Sequence, residues 1–317
     1  MSRQRGVALI TVMLVVALVT VVCAALLVRQ QLAIRSTGNQ LLVRQAQYYA
    51  EGGELLAKAI LRREQNSEPV DHPAQPWANP GLRFPLDEGG ELRLRIEDLA
   101  GRFNLNSLAA GGEQGEQALL RLRRLLLSLQ LTPAYAERLQ DWLDTDQEPT
   151  GMAGAEDGQY LLLNPAYRTG VGRIVDVSEL RLLLGMSEAD YQRLLPFVSA
   201  LPSQVELNIN TASARVLASL GEGIPAAALK KAIEGRGRNG YRDPAAFAQS
   251  LGEYGVSLIG LGTGSQYFRV TTEVLLGERR QVLASYLQRG ADGRVLLMAR
   301  DLGLEGLMPL SDEESGK

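Results

Sequence analysis

Residues 7–28 (VALITVMLVVALVTVVCAALLV) carry no charge, and this run constrains the chain more than any other stretch. As a helix rising about 1.5 Å per residue it would span about 33 Å, enough to cross a hydrocarbon core of about 30 Å. Upstream lies Met-Ser-Arg-Gln-Arg-Gly; downstream, polar helix-forming sequence begins at Arg29. Three readings compete. A secretory signal peptide needs an apolar region of about 7–15 residues ending at a small-residue site, whereas this run continues through Leu26, Leu27 and Val28 into Arg29. A plain membrane anchor satisfies the hydropathy. Arg3 and Arg5 then hold the short end in the cytoplasm, and the residues after about 29 are exported. The third reading is a retained segment from which a short basic leader, ending in Arg5-Gly6, is cut to leave the run at a new N-terminus.

The rest of the chain is large enough for two modules: 317 residues with 45% apolar content can build real cores. A net charge of −3 argues against wholesale nucleic-acid binding. The only cysteine, Cys23, lies inside the apolar run, so no intramolecular disulfide can form. An exported domain must then be held by packing, helped where the sequence allows by a metal.

From Arg29 to about Gln65 the helical pattern continues. Leu41, Leu42, Ala46, Tyr49, Leu56, Ala59 and Ile60 recur at spacings of three and four, with Gly38 and Gly52-Gly53 as local weak points. Pro69, Pro73, Pro76, Pro80 and Pro85 exclude a helix over 66–90. That stretch is expected to be an extended loop with the single histidine, His72, at the surface. Residues 91–97 alternate Leu92, Leu94 and Ile96 with charges and read as a strand. Similar strands are expected at 267–276, 281–288 and 295–299, joined by turns at Gly277-Glu278 and Ala291-Asp292-Gly293 into an antiparallel meander.

The intervening block, about 101–264, is helical and internally repeated. Phe103-Asn-Leu-Asn-Ser107 matches Leu207-Asn-Ile-Asn-Thr211. Helices are expected over 118–129, 133–143 and 177–184 in the first copy (about 101–200), and over 212–220, 225–233 and 244–251 in the second (about 205–260). Residues 260–264 (GLGTG) neither follow an expected strand nor open a helix, and read as a linker. The polar residues 311–317 read as a disordered tail.

The strongest chemical signal is an acidic loop. Asp144, Asp146, Glu148, Glu156 and Asp157 crowd residues 144–157, which are otherwise rich in Gly, Pro and Thr. The loop reads either as a solvated surface or as a Ca²⁺ site, since Ca²⁺ takes six to eight oxygen ligands and tolerates irregular geometry. It is not an EF-hand, and the absence of nearby His and Cys favours Ca²⁺ over Zn²⁺. The second copy's Leu220-Gly-Glu-Gly-Ile-Pro225, with Lys230, Lys231, Arg236, Arg238 and Arg242, is similar to helix-hairpin-helix modules, whose hairpin amides hold a phosphate. Glu222 inside the hairpin, and the glycine-free Leu129–Pro133 of the first copy, argue against DNA. Enzyme motifs are absent: there is one His and no G-x-S-x-G.

The leader and apolar run together resemble the type IV pilin and pseudopilin class. In that class a membrane prepilin peptidase cuts after the leader glycine, and the mature chain usually starts with Phe and carries Glu fifth. Here those positions are Val7 and Thr11. Lack of that Glu, the order of Gln75-Pro-Trp-Ala78, Phe103-Asn-Leu-Asn106, the acidic loop and Leu207-Asn-Ile-Asn-Thr211 together resemble the K-type minor pseudopilin family of type II secretion. The resemblance implies an α+β pilin-like fold: a long N-terminal helix on a four-stranded antiparallel sheet, with a large all-α insertion of two helix-hairpin-helix or SAM-like repeats. It implies a cleaved leader (1–6), a transmembrane part of the helix (7–28), a periplasmic helix, loop and first strand (29–100), the insertion (101–264), and a closing meander (265–310). It further implies cleavage after Gly6, methylation of the Val7 amine, and structural Ca²⁺ held in the acidic loop by Asp144, Asp146, Glu148, Glu156 and Asp157. The implied role is a non-enzymatic cap at the tip of an inner-membrane-anchored periplasmic fibre that supports export of folded proteins across the outer membrane. Its partners would be the I-, J- and H-type minor pseudopilins, the major pseudopilin fibre and an inner-membrane assembly platform. The contrasting expectation is a DNA-uptake pilin-like protein binding DNA through its repeats.

Overall fold

A computed structural model describes residues 4–65, 70–87, 89–170 and 172–302. Residues 1–3 of the expected leader and the expected tail at 311–317 lie outside them.

The apolar run and the amphipathic stretch after it form one helix, α1 (Gln4–Gln65), 62 residues long. No proline interrupts it, and its glycines weaken it without breaking it. Its two halves differ in what they bury. Residues such as Leu14, Leu18 and Leu27 are exposed, whereas Ala46, Ala50, Ala57 and Leu61 are buried. The first half is long and apolar enough to cross a membrane; the second half packs as a stripe spaced by three and four residues.

The chain continues as β1 (Leu82–Pro85) and β2 (Gly90–Asp98). Then comes the helical block: β3 (Phe103–Asn104), α2 (Gly112–Ser128), α3 (Ala134–Leu143), α4 (Asp157–Tyr160), α5 (Glu188–Leu194), β4 (Val198–Ser199), β5 (Leu207–Asn208), α6 (Ala214–Ala218), α7 (Ala226–Glu234), α8 (Pro244–Ser250) and β6 (Leu261–Gly262). Finally β7 (Tyr267–Leu276), β8 (Arg279–Arg289) and β9 (Val295–Asp301) complete the sheet. Its order is β1-β2-β7-β8-β9, antiparallel throughout.

Among the described residues the sheet therefore has five strands rather than four. The extra one, β1, comes from the stretch read as loop. Leu82 and Phe84 pack against the core shared by α1 and the sheet. Pro85 is tolerated because β1 is an edge strand. The same stretch also buries more than its prolines suggested. Pro76–Ala78 forms a short 3-10 turn that buries Trp77, whose ring meets Phe268 edge-on at 5.4 Å. His72, expected at the surface, is only 4% exposed, and its N–H donates to Gln75 Oε1 at 3.1 Å. The described part of this segment is folded down over the core through Trp77, Leu82 and Phe84.

β2 and β7 are neighbours although the whole helical block separates them in sequence; Asp98 faces Phe268 at one end of the pair and Gly90 faces Leu276 at the other. The block thus leaves and re-enters the sheet at a single place. It forms two cores, one around Leu122, Leu125, Trp142 and Tyr160, the other around Ile209, Leu217, Phe247 and Leu251. Each unit is closed by a two-residue parallel pairing, β3 with β4 and β5 with β6. Residues 260–264 are therefore not a plain linker, since Leu261 pairs with Leu207. The expected helix at 177–184 is a 3-10 turn over Val177–Leu182. Arg121 of α2 ties the units together, donating from Nη1 to Ile259 O at 2.7 Å and from Nη2 to Ser257 O at 2.9 Å.

A buried polar junction fixes the block to the sheet. Asp98 Oδ2 accepts from Asn208 Nδ2, Thr211 Oγ1 and Ser265 Oγ. Asp71 Oδ2 accepts from the Ser265 N–H and from Arg289, and its side chain and that of Arg289 are each 6% exposed. Burial pushes the Asp98 carboxyl above its ordinary range, against those hydrogen bonds.

Candidate metal centre

The acidic loop is organised by the helix before it. α3 turns Leu139, Trp142 and Leu143 into the first unit's core. Glu137 and Asp141, one turn apart, face the loop instead. Asp141 Oδ1 accepts the Thr150 N–H at 2.9 Å and Oδ2 the Ala155 N–H at 2.6 Å. Glu137 Oε2 accepts the Ala153 N–H at 3.0 Å. The loop is thus wrapped around two helix carboxylates. Gly154 is required there, because a Cβ would lie 2.3 Å from Asp141 Oδ2 and 2.5 Å from Thr150 N.

Within this wrap, ligand oxygens of Asp141, Asp144 and Glu156 all lie within 4.8 Å of one another. Asp141 is 1% and Glu156 4% exposed. Asp144 Oδ1 and Glu156 Oε1 are buried with no hydrogen-bond partner among the described residues. Both carboxyls are pushed up, first by burial and then by their acidic neighbours. Glu156 rises to about 7, with Asp141, Asp144, Asp146 and Asp157 contributing. Asp144 rises to about 6, with Asp146 and Asp141 contributing. Like charges converging on unpartnered oxygens are relieved by a cation. This Asp/Glu cluster could hold a metal, and its all-oxygen donor set suits a hard one.

The five residues expected from sequence divide. Asp144 and Glu156 are in the cluster. Asp146 is exposed at its rim, accepting the Glu148 N–H at 2.9 Å, and Glu148 is exposed beyond it. Asp157 faces another way. Its Oδ1 accepts from the Thr169 N–H and hydroxyl, and Oδ2 pairs with Arg168 at 3.3 Å. Asp141 belongs to the cluster although the sequence did not single it out as a ligand; it stands in the last turn of α3, three residues before Asp144, which caps that helix.

The other sequence candidates lie elsewhere. Gly6 and Val7 are within α1. Thr11 Oγ1 donates to Ala8 O at 2.9 Å, satisfying its hydroxyl inside the helix. Around the second unit's hairpin, Arg236 turns inward to donate to Ala212 O at 2.6 Å. It caps a carbonyl rather than facing outward toward a phosphate.

The comparisons agree with this architecture. Two models described as type II secretion system (T2SS), protein K, match residues 101–203 and 207–270. The type II secretion system protein K of Pseudomonas aeruginosa is 53% identical over 316 residues, covering 96% of this chain and 94% of its own. That of Klebsiella pneumoniae is 36% identical, covering 90% and 93%. A chain in the crystal structure of the GspK-GspI-GspJ complex of the enterotoxigenic Escherichia coli type 2 secretion system superposes with a TM-score of 0.74 at 26% identity, covering 84% of this chain and 99% of that one. On these grounds the chain belongs to the type II secretion system protein K family, whose members are structural pseudopilins rather than enzymes.

Proposed function

We propose that this chain caps the tip of the pseudopilus and starts its assembly. The observation that carries the reading is where the helical block leaves the sheet. β2 and β7 run from Gly90 and Leu276 at one end to Asp98 and Phe268 at the other. The block springs from the Asp98 end, while the Leu276 end turns through Arg279, which lies against residues 32–44 of α1 on the side of its apolar half. A bulky block opposite the membrane-spanning half would bar a further subunit from stacking above. Thr11 supports the same reading, since a subunit with nothing above it needs no membrane carboxylate to meet a neighbour's amine.

In this reading the leader is cut after Gly6 by a prepilin peptidase, and the Val7 amine becomes the mature terminus and the site of methylation. The chain sits in the inner membrane by 7–28, with 29–310 in the periplasm. It joins I- and J-type minor pseudopilins, then the H type, above the major pseudopilin fibre that the assembly platform drives. The two units of the insertion are helix-hairpin-helix or SAM-like repeats. The cation of the acidic cluster is Ca²⁺, held by Asp141, Asp144 and Glu156 with Asp146 at the rim.

The test is complementation. Because Asp98 and Phe268 are paired, a short turn can replace residues 101–264. This shortened chain should still enter the membrane and fail to restore secretion. Full secretion by it would overturn the cap. Co-purification of the intact chain in detergent with I- and J-type subunits should yield a stable complex, and a chain that stays alone with both would overturn the partner assignment.

A further inference from the structure

A cleft of about 380 Å³ lies where the insertion leans on the sheet, within the range of about 300–1,000 Å³ usual for binding pockets. Its sheet side is formed by Tyr267, Arg269 and Tyr286, which alternate along their strands with core residues Phe268 and Leu287 and so occupy the face away from α1. Its far wall comes from the insertion, and its rim from Met298 and Ala299 of β9.

Charge in the cleft is not balanced. Arg173 and Arg269 line it, and no described residue gives either an ion pair or a side-chain hydrogen bond; Arg269 Nε is buried without a partner. The one acidic residue among the described lining residues, Asp176, accepts the Ser178 N–H at 2.8 Å. Arg102 is paired with Glu97 at 3.5 Å. Ser199 also lines the cleft, is 3% exposed, and has a hydroxyl with no partner among the described residues.

β9 borders the same cleft. It is an edge strand with β8 on one side only among the described residues. It contains no proline, and Leu296 and Met298 are 56% and 59% exposed. Its apolar residues 295–299 are followed by Arg300 and Asp301 and broken by a bulge between Leu297 and Ala299, so the strand extends the apolar rim of the cleft rather than offering a regular edge.

We propose that the cleft binds an extended segment of another protein carrying a carboxylate beside apolar side chains. The segment lies in the cleft, across β7 and β8 and inside the rim formed by β9. Its apolar side chains cover Met298 and Tyr286, and its carboxylate reaches Arg173 and Arg269. The apolar walls hold the segment and the two arginines select its charge. The apolar walls fit a peptide better than a free anion. This assignment stands apart from the tip reading, because it concerns the back of the sheet.

The test uses the full chain in detergent micelles and a fluorescein-labelled decapeptide of alternating valine and aspartate, followed by anisotropy. A valine–lysine decapeptide is the control. The aspartate peptide should bind and the lysine peptide should not. Arg173→Glu, at an exposed position that leaves folding unaffected, should weaken the aspartate peptide about tenfold, as loss of one charge-assisted bond does. It should also raise binding of the lysine peptide. Met298→Asp should weaken the aspartate peptide too. Equal binding of both peptides, no binding of either, or binding unchanged by Arg173→Glu would overturn the proposal. So would binding that appears only after residues 303–317 are removed, since the cleft would then belong to this chain's own terminal segment.

Discussion

Asn106 and Asn210 make the same bonds in the two helical units. Asn106 Nδ2 donates to Ile174 O at 2.8 Å while its Oδ1 accepts the Ile174 N–H at 2.8 Å. Asn210 Nδ2 donates to Tyr241 O at 3.0 Å while its Oδ1 accepts the Tyr241 N–H at 2.7 Å. Each amide thus substitutes for a strand neighbour, pinning a distant loop to the start of its unit. In each case the asparagine two residues earlier, Asn104 or Asn208, receives the N–H of the second. The repeated Asn-x-Asn is a structural clasp.

Replacing either clasp should therefore strand a buried peptide group on the far loop. Asn106→Ala loses the Ile174 bonds and one to Leu201 O; it should cost about 3 kcal/mol, and Asn210→Ala about 2 kcal/mol. Hydrogen exchange should localise the damage: the Ile174 amide should lose protection in the first variant and the Tyr241 amide in the second. Uniform loss across both units would show that the clasps are not local.

Adjacent glycines in α1 should respond in opposite directions. A Cβ on Gly53 would lie 2.5 Å from Thr272 Cγ2, because the helix crosses β7 there, whereas a Cβ on Gly52 meets nothing within 4 Å. Gly53→Ala should destabilise by about 1–3 kcal/mol through overpacking. Gly52→Ala should stabilise by up to about 1 kcal/mol, as relief of a glycine in a helix does. Thermal unfolding of the two variants checks both, and Thr272→Ala should largely rescue Gly53→Ala.

The contrast between these glycines marks how far the sequence could be read. Strong local periods were legible: β7 was expected over 267–276 and spans Tyr267–Leu276, and α3 was expected to end at Leu143 and does. Elements whose stability comes from contacts far along the chain were not. β1 has only two apolar side chains amid prolines and exists because β2 pairs with it. β6 is two residues held by Leu207 and Asn208. His72 looked exposed because nothing local says that its loop folds over the core. In the acidic loop the carboxylate-rich stretch was visible. The part of Asp141 was not, because the amides it holds, at Thr150 and Ala155, lie on the far side of the loop.

The junction between block and sheet rests on an ion pair with little access to water. Arg289 donates to Asp71 and to Ser265 O at 2.6 Å, and stacks 4.9 Å above the Phe268 ring. Asp71→Ala leaves that guanidinium buried without its counter-charge and should cost about 3–5 kcal/mol. Adding Arg289→Met should recover most of the loss, because the cost lies in the orphaned charge rather than in the pair. Limited proteolysis gives an independent view: cleavage near residues 263–265 should accelerate in the single variant and slow again in the double one.

Proton and metal should compete at the acidic cluster, and the direction follows from its raised carboxyls. Glu156 moves from 4.5 up to about 7 and Asp144 from 3.8 up to about 6. Between those limits the folded chain holds protons that the unfolded chain has released, so without metal stability falls as pH rises from about 4 to about 7. A bound cation replaces the protons. Added Ca²⁺ should raise the melting temperature strongly at pH about 7.5 and little at pH about 5, by an amount equivalent to about 2.7 kcal/mol at a hundredfold excess over Kd. Glu156→Gln removes one source of repulsion and should raise the metal-free melting temperature near neutrality while abolishing most of the Ca²⁺-dependent gain. Asp157→Asn, whose carboxylate faces Thr169 and Arg168 instead, should keep that gain. An equal Ca²⁺ effect at both pH values, or a full effect in Glu156→Gln, would sink the assignment of the cluster as the binding site.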